Sequence, residues 1–454
     1  MYPGEVRGKS FAVLGAARSG IAVAGLLRSY GGEVFVSDQA PPGTMAAAKA
    51  QLDALGVKSE FGENSERVLD AEVVVLSPGV PSDAPRVREA LAKGRKVVSE
   101  IEATSWFCRA PIVAITGTNG KTTTTTLLGR MLQDAKRPVA VGGNIGTAFA
   151  QIVRDAPADA TAVLEISSFQ LDHIETFRPR VAAILNITPD HLNRYGNSFD
   201  RYVGAKCRIF ENQNNGDHLI YNADDEVTAR AVTGRVSPEV QLHPFSLRPD
   251  ELAGAYLRNG RVILGGNEPA DLIAANEISI RGAHNHANAM AAALAARILG
   301  VPVASLRATL RNFSGVEHRL EFVRELDRIQ YVNDSKATNV DSVWYALQSF
   351  DRPIVVLLGG RDKGNDYGRL HDLVRRHVRN IVAIGESAEK VKNAFAEIVP
   401  VTVCGNMEDA VRTARRLAEP GDVVLLSPAC ASFDWFANYE QRGRVFKEIV
   451  RSLA

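Results

Sequence analysis

The sequence contains a glycine-rich heptapeptide, T-G-T-N-G-K-T at 116–122, between an apolar run and a helical stretch. A turn of this kind before a helix directs several backbone N–H groups at one point, where the helix dipole adds positive potential. Lys121 can then reach the β- and γ-phosphates of a nucleotide, and the Thr122 hydroxyl can bind Mg²⁺. The strict G-x-x-x-x-G-K-[ST] pattern is not met, because Ile115 stands at its first glycine. We predict an ATP-Mg²⁺ loop whose contacts are Gly117, Thr118, Asn119, Gly120, Lys121, Thr122 and Thr123.

Candidate metal and acid–base groups follow two later apolar runs. Glu165 ends one of them, and a carboxylate at such a strand end, beside a phosphate loop, can supply a further Mg²⁺ ligand. His191 follows the next run, flanked by Asp190 and Arg194, so we expect it at the same sheet edge. Lys206 lies in an amphipathic helical pattern, which taken alone indicates a surface lysine.

Two further patterns leave alternatives open. Asn285 and Asn288 are three residues apart and share a helical face, where they could bind an adenine edge or cap the helix. Gly15 and Gly20 form a turn with Asp38 about 20 residues on, as in dinucleotide-binding folds. Ala17 replaces the middle glycine that a dehydrogenase would need. The turn therefore either packs without a ligand or holds a nucleotide diphosphate other than NAD.

Three polar loops follow apolar runs in the last third of the chain, at 333–339, 359–364 and 427–434. Open α/β sheets bind ligands in the crevice outside the carboxyl ends of their strands. Lys336, Thr338, Lys363 and Ser432 would give this crevice cationic and hydroxyl groups, which suit a small dicarboxylate or an acyl phosphate.

These groups must be positioned by strands, several of which are short, continuous Val/Ile/Leu runs without polar alternation. Such runs are typical of parallel strands buried on both faces, so we predict an α/β fold. The predicted strands are Phe11–Leu14, Glu33–Val36, Glu72–Leu76, Ile112–Ile115, Ala162–Ile166, Val181–Asn186, His218–Tyr221, Ile329–Val332, Pro353–Leu358, Ile381–Ile384 and Val423–Leu426. After the glycine loop we predict a helix over Thr123–Gln133.

Length and composition limit the class of protein. The chain has 454 residues, which at roughly 100–200 residues per domain predicts about three domains. Its net charge of +1 argues against nucleic acid as the partner of the whole chain. Four scattered cysteines without a CxxC pair argue against a zinc knuckle and fit a reducing compartment. With no leader pattern and no apolar run of about 18 residues, we expect a cytoplasmic protein outside the membrane, and a monomer.

Taken in order, these motifs resemble the Mur ligases of peptidoglycan synthesis over essentially the whole chain. Each segment alone is modestly specific, whereas the ordered set is strongly specific. The matching segments are Thr116–Thr122, Leu164–Leu171, Asn186–Arg194, Ala205–Phe210, His284–Asn288, Glu317–Leu320, Asn333–Asn339, Gly359–Gly364 and Ser427–Gly443.

The resemblance implies three domains and an ATP-dependent ligation. A UDP-substrate-binding Rossmann-like domain would span 1–109, a P-loop-type central ATPase domain with a mostly parallel sheet 110–313, and a Rossmann-like amino-acid-binding domain 314–454. ATP would phosphorylate the carboxylate of UDP-N-acetylmuramoyl-L-alanine, and the amine of D-glutamate would displace phosphate from the acyl phosphate. Carboxylate is a poor electrophile, so phosphorylation supplies the leaving group.

The resemblance also implies roles for individual residues. Two Mg²⁺ would be held by Thr122 with Glu165 and by His191 with Lys206. Because an ammonium cannot bind a cation, this lysine would first react with CO₂ to give a carbamate, which reverses its interpretation as a surface residue. The catalytic set would be Lys121, Glu165, His191 and Lys206. Further contacts would be Asn285, Asn288, Arg319 and Asp334 for ATP; Lys336, Thr338, Lys363, Ser432 and Tyr439 for D-glutamate; and Gly15, Ala17, Arg18, Asp38, Gln39, Ser77, Gly79 and Asn144 for the UDP-sugar.

Other functions remain to be distinguished. The nearest is a related ligase with another amino acid, or one resembling folylpolyglutamate synthetase. The D-N-P-R motif of the diaminopimelate- or lysine-adding enzyme is absent, and the loops at 334–339 and 427–443 favour D-glutamate. A nucleotide sensor without ligase activity could lose the catalytic set, which this chain retains. A dinucleotide-dependent oxidoreductase would have to use the Gly15 turn.

Overall fold

The computed structural model describes residues 3–157, 159–266, 269–362 and 364–453. Over these residues the strands form three sheets of five, nine and six strands, each with helices packed against it. The predicted α/β fold with three sheet-containing regions is therefore confirmed. By compactness the chain divides into two units, Met1–Ile278 with Ala287–Asn312, and Ser279–His286 with Phe313–Ala454. The first unit contains two of the sheets, so the boundary at 109/110 stays a prediction.

The first sheet is entirely parallel, in the order β3-β2-β1-β4-β5. Successive side chains of its central strand β1 pack into hydrophobic cores on opposite faces of the sheet, Val13 into one and Leu14 into the other. The carboxyl ends of β1, β2 and β4 thus share one edge. The elements are β1 Ser10–Leu14, α1 Arg18–Ser29, β2 Glu33–Asp38, α2 Ala46–Ala54, β3 Lys58–Phe61, β4 Val73–Leu76, α3 Pro85–Ala92, β5 Lys96–Ser99 and α4 Glu100–Ser105.

The second sheet has the order β14-β13-β12-β11-β10-β9-β6-β8-β7 and is parallel from β7 to β12. Two antiparallel strands complete it. The elements are β6 Ile112–Thr116, α5 Lys121–Asp134, β7 Val139–Gly143, α6 Phe149–Asp155, β8 Thr161–Glu165, α7 Ser168–Leu171, β9 Val181–Ile184, α8 Phe199–Cys207, β10 His218–Asn222, α9 Glu226–Thr233, β11 Gln241–Ser246, β12 Ala255–Arg258, β13 Arg261–Leu264, β14 Ala270–Ala274, α10 Ala283–Ile298 and α11 Val303–Asn312.

The third sheet has the order β15-β16-β20-β17-β18-β19, with an antiparallel edge strand β15 and parallel pairs elsewhere. Because β16, β20 and β17 are neighbours, the three polar loops that follow them share one edge, as predicted. The elements are β15 Glu321–Leu326, β16 Ile329–Asn333, α12 Val340–Leu347, β17 Ile354–Gly359, α13 His371–His377, β18 Val378–Ile384, α14 Ala388–Phe395, β19 Val401–Val403, α15 Met407–Leu417, β20 Val423–Leu426 and α16 Tyr439–Ser452.

Among the described helices, none is long and apolar enough to cross a membrane.

Helix α4 connects the first sheet to the second through two buried glutamates. Glu102 accepts hydrogen bonds from the side chains of Trp106 and Thr176 and from the backbone N–H groups of 175–177. Glu100 accepts a hydrogen bond from Gln170 Nε2 at 2.8 Å. Its second oxygen is buried and has no hydrogen-bond partner among the described residues.

We expect these two glutamates to change the stability of the fold in opposite directions as the pH rises. Burial raises the pKa of Glu100 from 4.5 to about 7, against the Gln170 hydrogen bond. Its proton therefore stabilises the fold below pH 4.5, and that stability is lost as the pH rises through 7. We expect Glu100→Gln, which keeps the acceptor for Gln170, to gain up to about 3 kcal/mol in unfolding free energy relative to wild type between pH 4.5 and 8. Urea unfolding across this range measures the difference.

Glu102→Gln is the matched control, two residues away. Burial alone would raise the pKa of Glu102, but hydrogen bonds from Thr176 and its neighbours lower it below the usual value. The Glu102 carboxylate therefore stabilises the fold above pH 4.5, and this contribution is lost in acid. Glu102→Gln should accordingly be less stable than wild type at neutral pH. A Glu100→Gln variant with the same pH dependence as wild type would contradict the assignment of a buried proton.

Candidate active site

The glycine loop joins β6 directly to α5, which begins at Lys121, two residues earlier than predicted. Gly120 has φ +87°, and a Cβ at this position would lie 2.3 Å from Asn288 Oδ1. A side chain is therefore excluded twice, by the left-handed backbone and by the neighbouring amide. The missing first glycine of the strict motif does not prevent this turn from forming.

The loop is held by the segment that follows β9. Asn186 Oδ1 accepts from the Asn119 N–H at 2.8 Å, while Asn186 Nδ2 donates to the Asn119 carbonyl at 3.0 Å. Thr118 Oγ1 donates to the Thr188 carbonyl and accepts from the Thr188 N–H, both at 3.0 Å. These reciprocal bonds fix the loop before any phosphate binds. Asn186 and Thr188 were not predicted as loop supports, although both follow the neighbouring strand in the sequence.

Thr122 and Glu165, the predicted metal pair, are in direct contact. Thr122 Oγ1 donates to Glu165 Oε2 at 2.7 Å, and both side chains are buried. The second oxygen, Glu165 Oε1, accepts from Asn144 Nδ2 at 2.9 Å. Asn144, predicted to contact the UDP-sugar, therefore lies at the phosphate-loop end of the site.

Lys121 and Lys206 donate to the same carbonyl oxygen, that of Gly117, at 2.8 and 2.9 Å. Lys206 is only 2 % exposed, so its interpretation as a surface lysine is wrong: the inward face of α8 carries it into the sheet edge. Its Nζ also lies 4.7 Å from the centre of the Tyr202 ring. Burial, and next the charge of Lys121, lower the pKa of Lys206 well below its usual value.

His191 lies at the predicted edge, in a turn after β9 with φ +53°. Its N–H donates to Asp190 Oδ1 at 2.9 Å, and its ring packs edge-on against Phe169 at 5.3 Å. The Arg194 guanidinium also stacks on the Phe169 ring, 4.2 Å from its centre, and donates to the Gly79 carbonyl at 3.2 Å. The loop after β4 is thereby connected to the edge of the second sheet at which His191 lies.

Both predicted adenine contacts lie in the first turns of α10 and are buried. Asn285 Nδ2 donates to the Arg281 carbonyl at 2.7 Å. Asn285 is the third residue of α10 and bonds to a carbonyl that precedes the helix, so helix capping and adenine contact both stay open as interpretations. Asn288 lies against Gly120, which places it at the phosphate loop. Adenine binding by this pair stays a prediction.

The Gly15 turn is shaped by packing. A Cβ on Gly20 would lie 1.9 Å from the Gly15 carbonyl, which itself accepts from Ser77 Oγ at 3.0 Å. Asp38 accepts from the backbone N–H groups of Ala16 and Ala40 at 2.7 and 2.8 Å. These contacts join the ends of β1, β2 and β4 in one hydrogen-bonded rim.

Around that rim lie the other predicted UDP-sugar contacts. Ala17, Arg18 and Gly79 are exposed, and Gln39 lines a cavity of about 420 Å³. The cavity also contains Gly62 and Asn64, which follow β3. A cavity lined mostly by polar side chains beside this rim can accommodate a nucleotide base, and UDP-sugar binding by these residues stays a prediction.

In the second unit the loops after β16 and β20 are joined by Arg442, a buried residue that was not predicted. Its guanidinium donates to the Ser335 carbonyl at 2.8 Å and to the Cys430 carbonyl at 3.1 Å. The Lys336 ammonium lies 5.4 Å from the centre of the Tyr439 ring. These contacts bring together two of the predicted D-glutamate residues.

Of the remaining predicted D-glutamate residues, Ser432 is buried in the loop after β20, and the Thr338 N–H donates to the Lys336 carbonyl at 2.9 Å. Both therefore lie in the loops that share the sheet edge. Lys363 lies outside the described residues.

Asp334 is buried beside this crevice. It accepts from Ser427 Oγ at 2.8 Å and from the Leu320 N–H at 3.2 Å. Burial raises the pKa of Asp334 to about 7, against the opposing charge of Arg319. Arg319 and Asp334, both predicted ATP contacts, are thus electrostatic neighbours.

Comparison with known proteins agrees with this geometry. Three protein-family models match: Mur ligase MurD-like N-terminal domain over residues 9–99, Mur ligase middle domain over 115–296, and Mur ligase glutamate ligase domain over 318–430. The chain belongs to the Mur ligase family.

Curated Mur ligases similar to this chain match it from end to end. One from Salinibacter ruber is 51 % identical over 100 % of both chains, and one from Chloroherpeton thalassium is 47 % identical over 99 % of both. Each is named UDP-N-acetylmuramoylalanine--D-glutamate ligase. Among solved structures, a UDP-N-acetylmuramate-alanine ligase from Thermotoga maritima matches with a TM-score of 0.60, 20 % identity and coverage of 98 % and 99 %. A pseudomurein peptide ligase from Methanothermus fervidus gives 0.61 and 20 %, over 98 % and 100 % of the two chains. At this identity the structural matches establish the fold.

Proposed function

We propose that this Mur ligase uses ATP to join the carboxyl group of UDP-N-acetylmuramoyl-L-alanine to the amine of D-glutamate, in the cytoplasmic synthesis of peptidoglycan precursors. One observation carries the proposal. A pinned phosphate loop, a contacting Thr122–Glu165 pair and two lysines sharing the Gly117 carbonyl meet at one sheet edge. The full-length relatives of the same name support the choice of substrates.

The chain's own groups suit phosphoryl transfer to a carboxylate. Lys121 and the N–H groups at the start of α5 would hold the phosphates, with Lys121 exchanging its loop carbonyls for phosphate oxygens. The terminal carboxylate of the UDP-sugar attacks the γ-phosphorus, and ADP leaves. The amine of D-glutamate then attacks the acyl carbon, forming the amide bond while phosphate departs and the amine loses a proton. Lys336, Ser432 and Tyr439 would bind the two carboxylates of D-glutamate.

The residues present fit two Mg²⁺. Thr122 and Glu165 offer a hydroxyl and a carboxylate in contact with each other, which are ligands that Mg²⁺ prefers. His191 and a carbamate on Lys206 would hold the second ion. The burial of Lys206 fits this modification, because a depressed pKa leaves more neutral amine to react with CO₂. When bound, the ions would neutralise charge on the transferring phosphoryl oxygens.

A phosphate-release assay tests the proposal. The protein is supplied with ATP, Mg²⁺ and UDP-N-acetylmuramoyl-L-alanine, and D-glutamate, L-alanine and L-lysine are compared as acceptors. Release that depends on D-glutamate, with a product heavier by one glutamyl residue, is expected. Turnover with another of these amino acids but none with D-glutamate would refute the assignment. Light scattering of the purified protein checks the expected monomer.

A further inference from the structure

The turn that carries Arg319 is strained on both sides. His318 has φ +65° and Leu320 φ +43°, although neither is glycine. Left-handed backbone at ordinary residues persists only where surrounding contacts hold it. The proposed function gives a role to Arg319 and none to the residues around it, so the contacts that hold this turn require a separate explanation.

The first of these contacts comes from Lys447 on the C-terminal helix α16. Its ammonium lies 2.5 Å from Glu317 Oε1 and 2.8 Å from Glu321 Oε1, and the lysine is 7 % exposed. One sheltered cation therefore joins the two ends of the turn. Glu317, His318 and Glu321 have a spacing that could suit a metal ion, but this ammonium already bridges both carboxylates.

The second contact is steric. The His318 ring is 3 % exposed and packs against α16 at Gly443, where a Cβ would lie 2.2 Å from His318 Nδ1. Asn333 Nδ2 lies 2.9 Å from the same ring nitrogen and donates to Glu321 Oε2, also at 2.9 Å. The ring can occupy this position only because residue 443 has no side chain.

The held turn connects two groups of predicted substrate contacts. On one side the Leu320 N–H donates to Asp334, the neighbour of Arg319. On the other side the His318 carbonyl accepts from the Lys336 N–H at 3.0 Å. A shift of His318 would therefore move an ATP contact and a D-glutamate contact together.

We propose that Lys447 and Gly443 are positioning residues, which fix the 317–321 turn so that Arg319, Asp334 and Lys336 are presented to their substrates as one unit. The inference rests on the proposed ligase function. It assigns to α16, which lies outside the matched glutamate ligase domain at 318–430, a part in catalysis that acts through other residues.

Gly443→Ala tests positioning by a steric change. The added Cβ would meet the buried His318 ring, which must shift, so we expect a lower melting temperature than that of wild type. At a temperature where the variant is still folded, kcat should fall by about 10²-fold, the effect of a misplacement near 1 Å. KM for ATP and D-glutamate should rise, and KM for the UDP-sugar should not change.

Lys447→Met should give the same kinetic pattern without steric change, and Lys447→Arg should restore most of the rate. Lys392→Met, at an exposed position on α14, is the matched control and should behave as wild type. Calorimetric titration with Mg-ADP supplies a readout that needs no turnover, and weaker binding by Gly443→Ala is expected.

Unchanged kinetics and Mg-ADP affinity in both variants would overturn the proposal. It would also be overturned if activity fell only in proportion to the folded fraction, with every KM unchanged. A wild type that uses another amino acid would instead correct the proposed function, and the variants would then be measured with that amino acid.

Discussion

Lys206→Ala is expected to lower kcat by about 10²–10³-fold, the range found when one electrostatic stabiliser is removed from a transition state. The buried amine donates to the carbonyl of Gly117 in the phosphate loop. If it carries a carbamate, alanine removes an anionic oxygen ligand that no neighbour replaces. Bicarbonate should not restore activity, because the amine that CO₂ modifies is gone. Steady-state phosphate release measures the loss.

A pair of variants identifies the missing group. Lys206→Ala leaves space where the side chain lay, so acetate or another short carboxylic acid can enter and restore part of the rate. Lys206→Met fills that space without an amine, and the same acids should leave it inactive. Melting temperatures show whether both variants are folded. Wild-type kcat in Lys206→Ala would exclude a catalytic role, and equal rescue of both variants would exclude a site-directed carboxylate.

Lys121→Met is expected to have the larger effect, a loss in kcat of about 10³–10⁵-fold. This is comparable with the removal of an arginine finger from a phosphoryl-transfer site. Two losses combine. The phosphates lose their cation. Lys206 also loses the neighbouring positive charge of Lys121, which is the second cause, next to burial, of its lowered pKa. More of Lys206 would then be protonated at neutral pH and unable to react with CO₂. Phosphate release between pH 7 and 9.5 measures both effects.

The pH profile separates these two contributions. Since removing Lys121 raises the pKa of Lys206, any residual activity of the variant should increase toward higher pH more steeply than that of wild type. Lys93→Met, at an exposed position in the first sheet region, is the control and should match wild type. A Lys121→Met variant with near wild-type kcat would show that the loop lysine does not stabilise the transferring phosphate.

Most of the parallel framework could be predicted from the sequence, because buried parallel strands are apolar without alternation. All eleven predicted strands are present within a few residues, and the loops at their carboxyl ends carry the candidate groups. Strands with mixed composition were missed, such as β3, K-S-E-F, and β19, V-T-V. These lie at sheet edges, where exposure permits polar residues and the periodic pattern disappears.

The site could be predicted only in part. The positions of Glu165 and His191 at the sheet edge could be predicted, because Glu165 ends one apolar run and His191 follows the next. The burial of Lys206 could not be found in that way, because it depends on how α8 packs and not on local pattern. Asn186, Arg442 and Lys447 act by holding other residues, and a contact between positions far apart in sequence leaves no local signal.

The five donors on Glu102 have a consequence for how the protein unfolds. One comes from Trp106, which directly follows α4, and the other four come from the 175–177 segment beyond the predicted boundary at 109/110. A fragment ending near that boundary would retain the carboxylate but lose four of its donors, and a fragment beginning there would leave the backbone N–H groups of 175–177 without this acceptor. The first two sheets should therefore melt in one cooperative transition, and limited proteolysis should not release the first sheet as a stable piece.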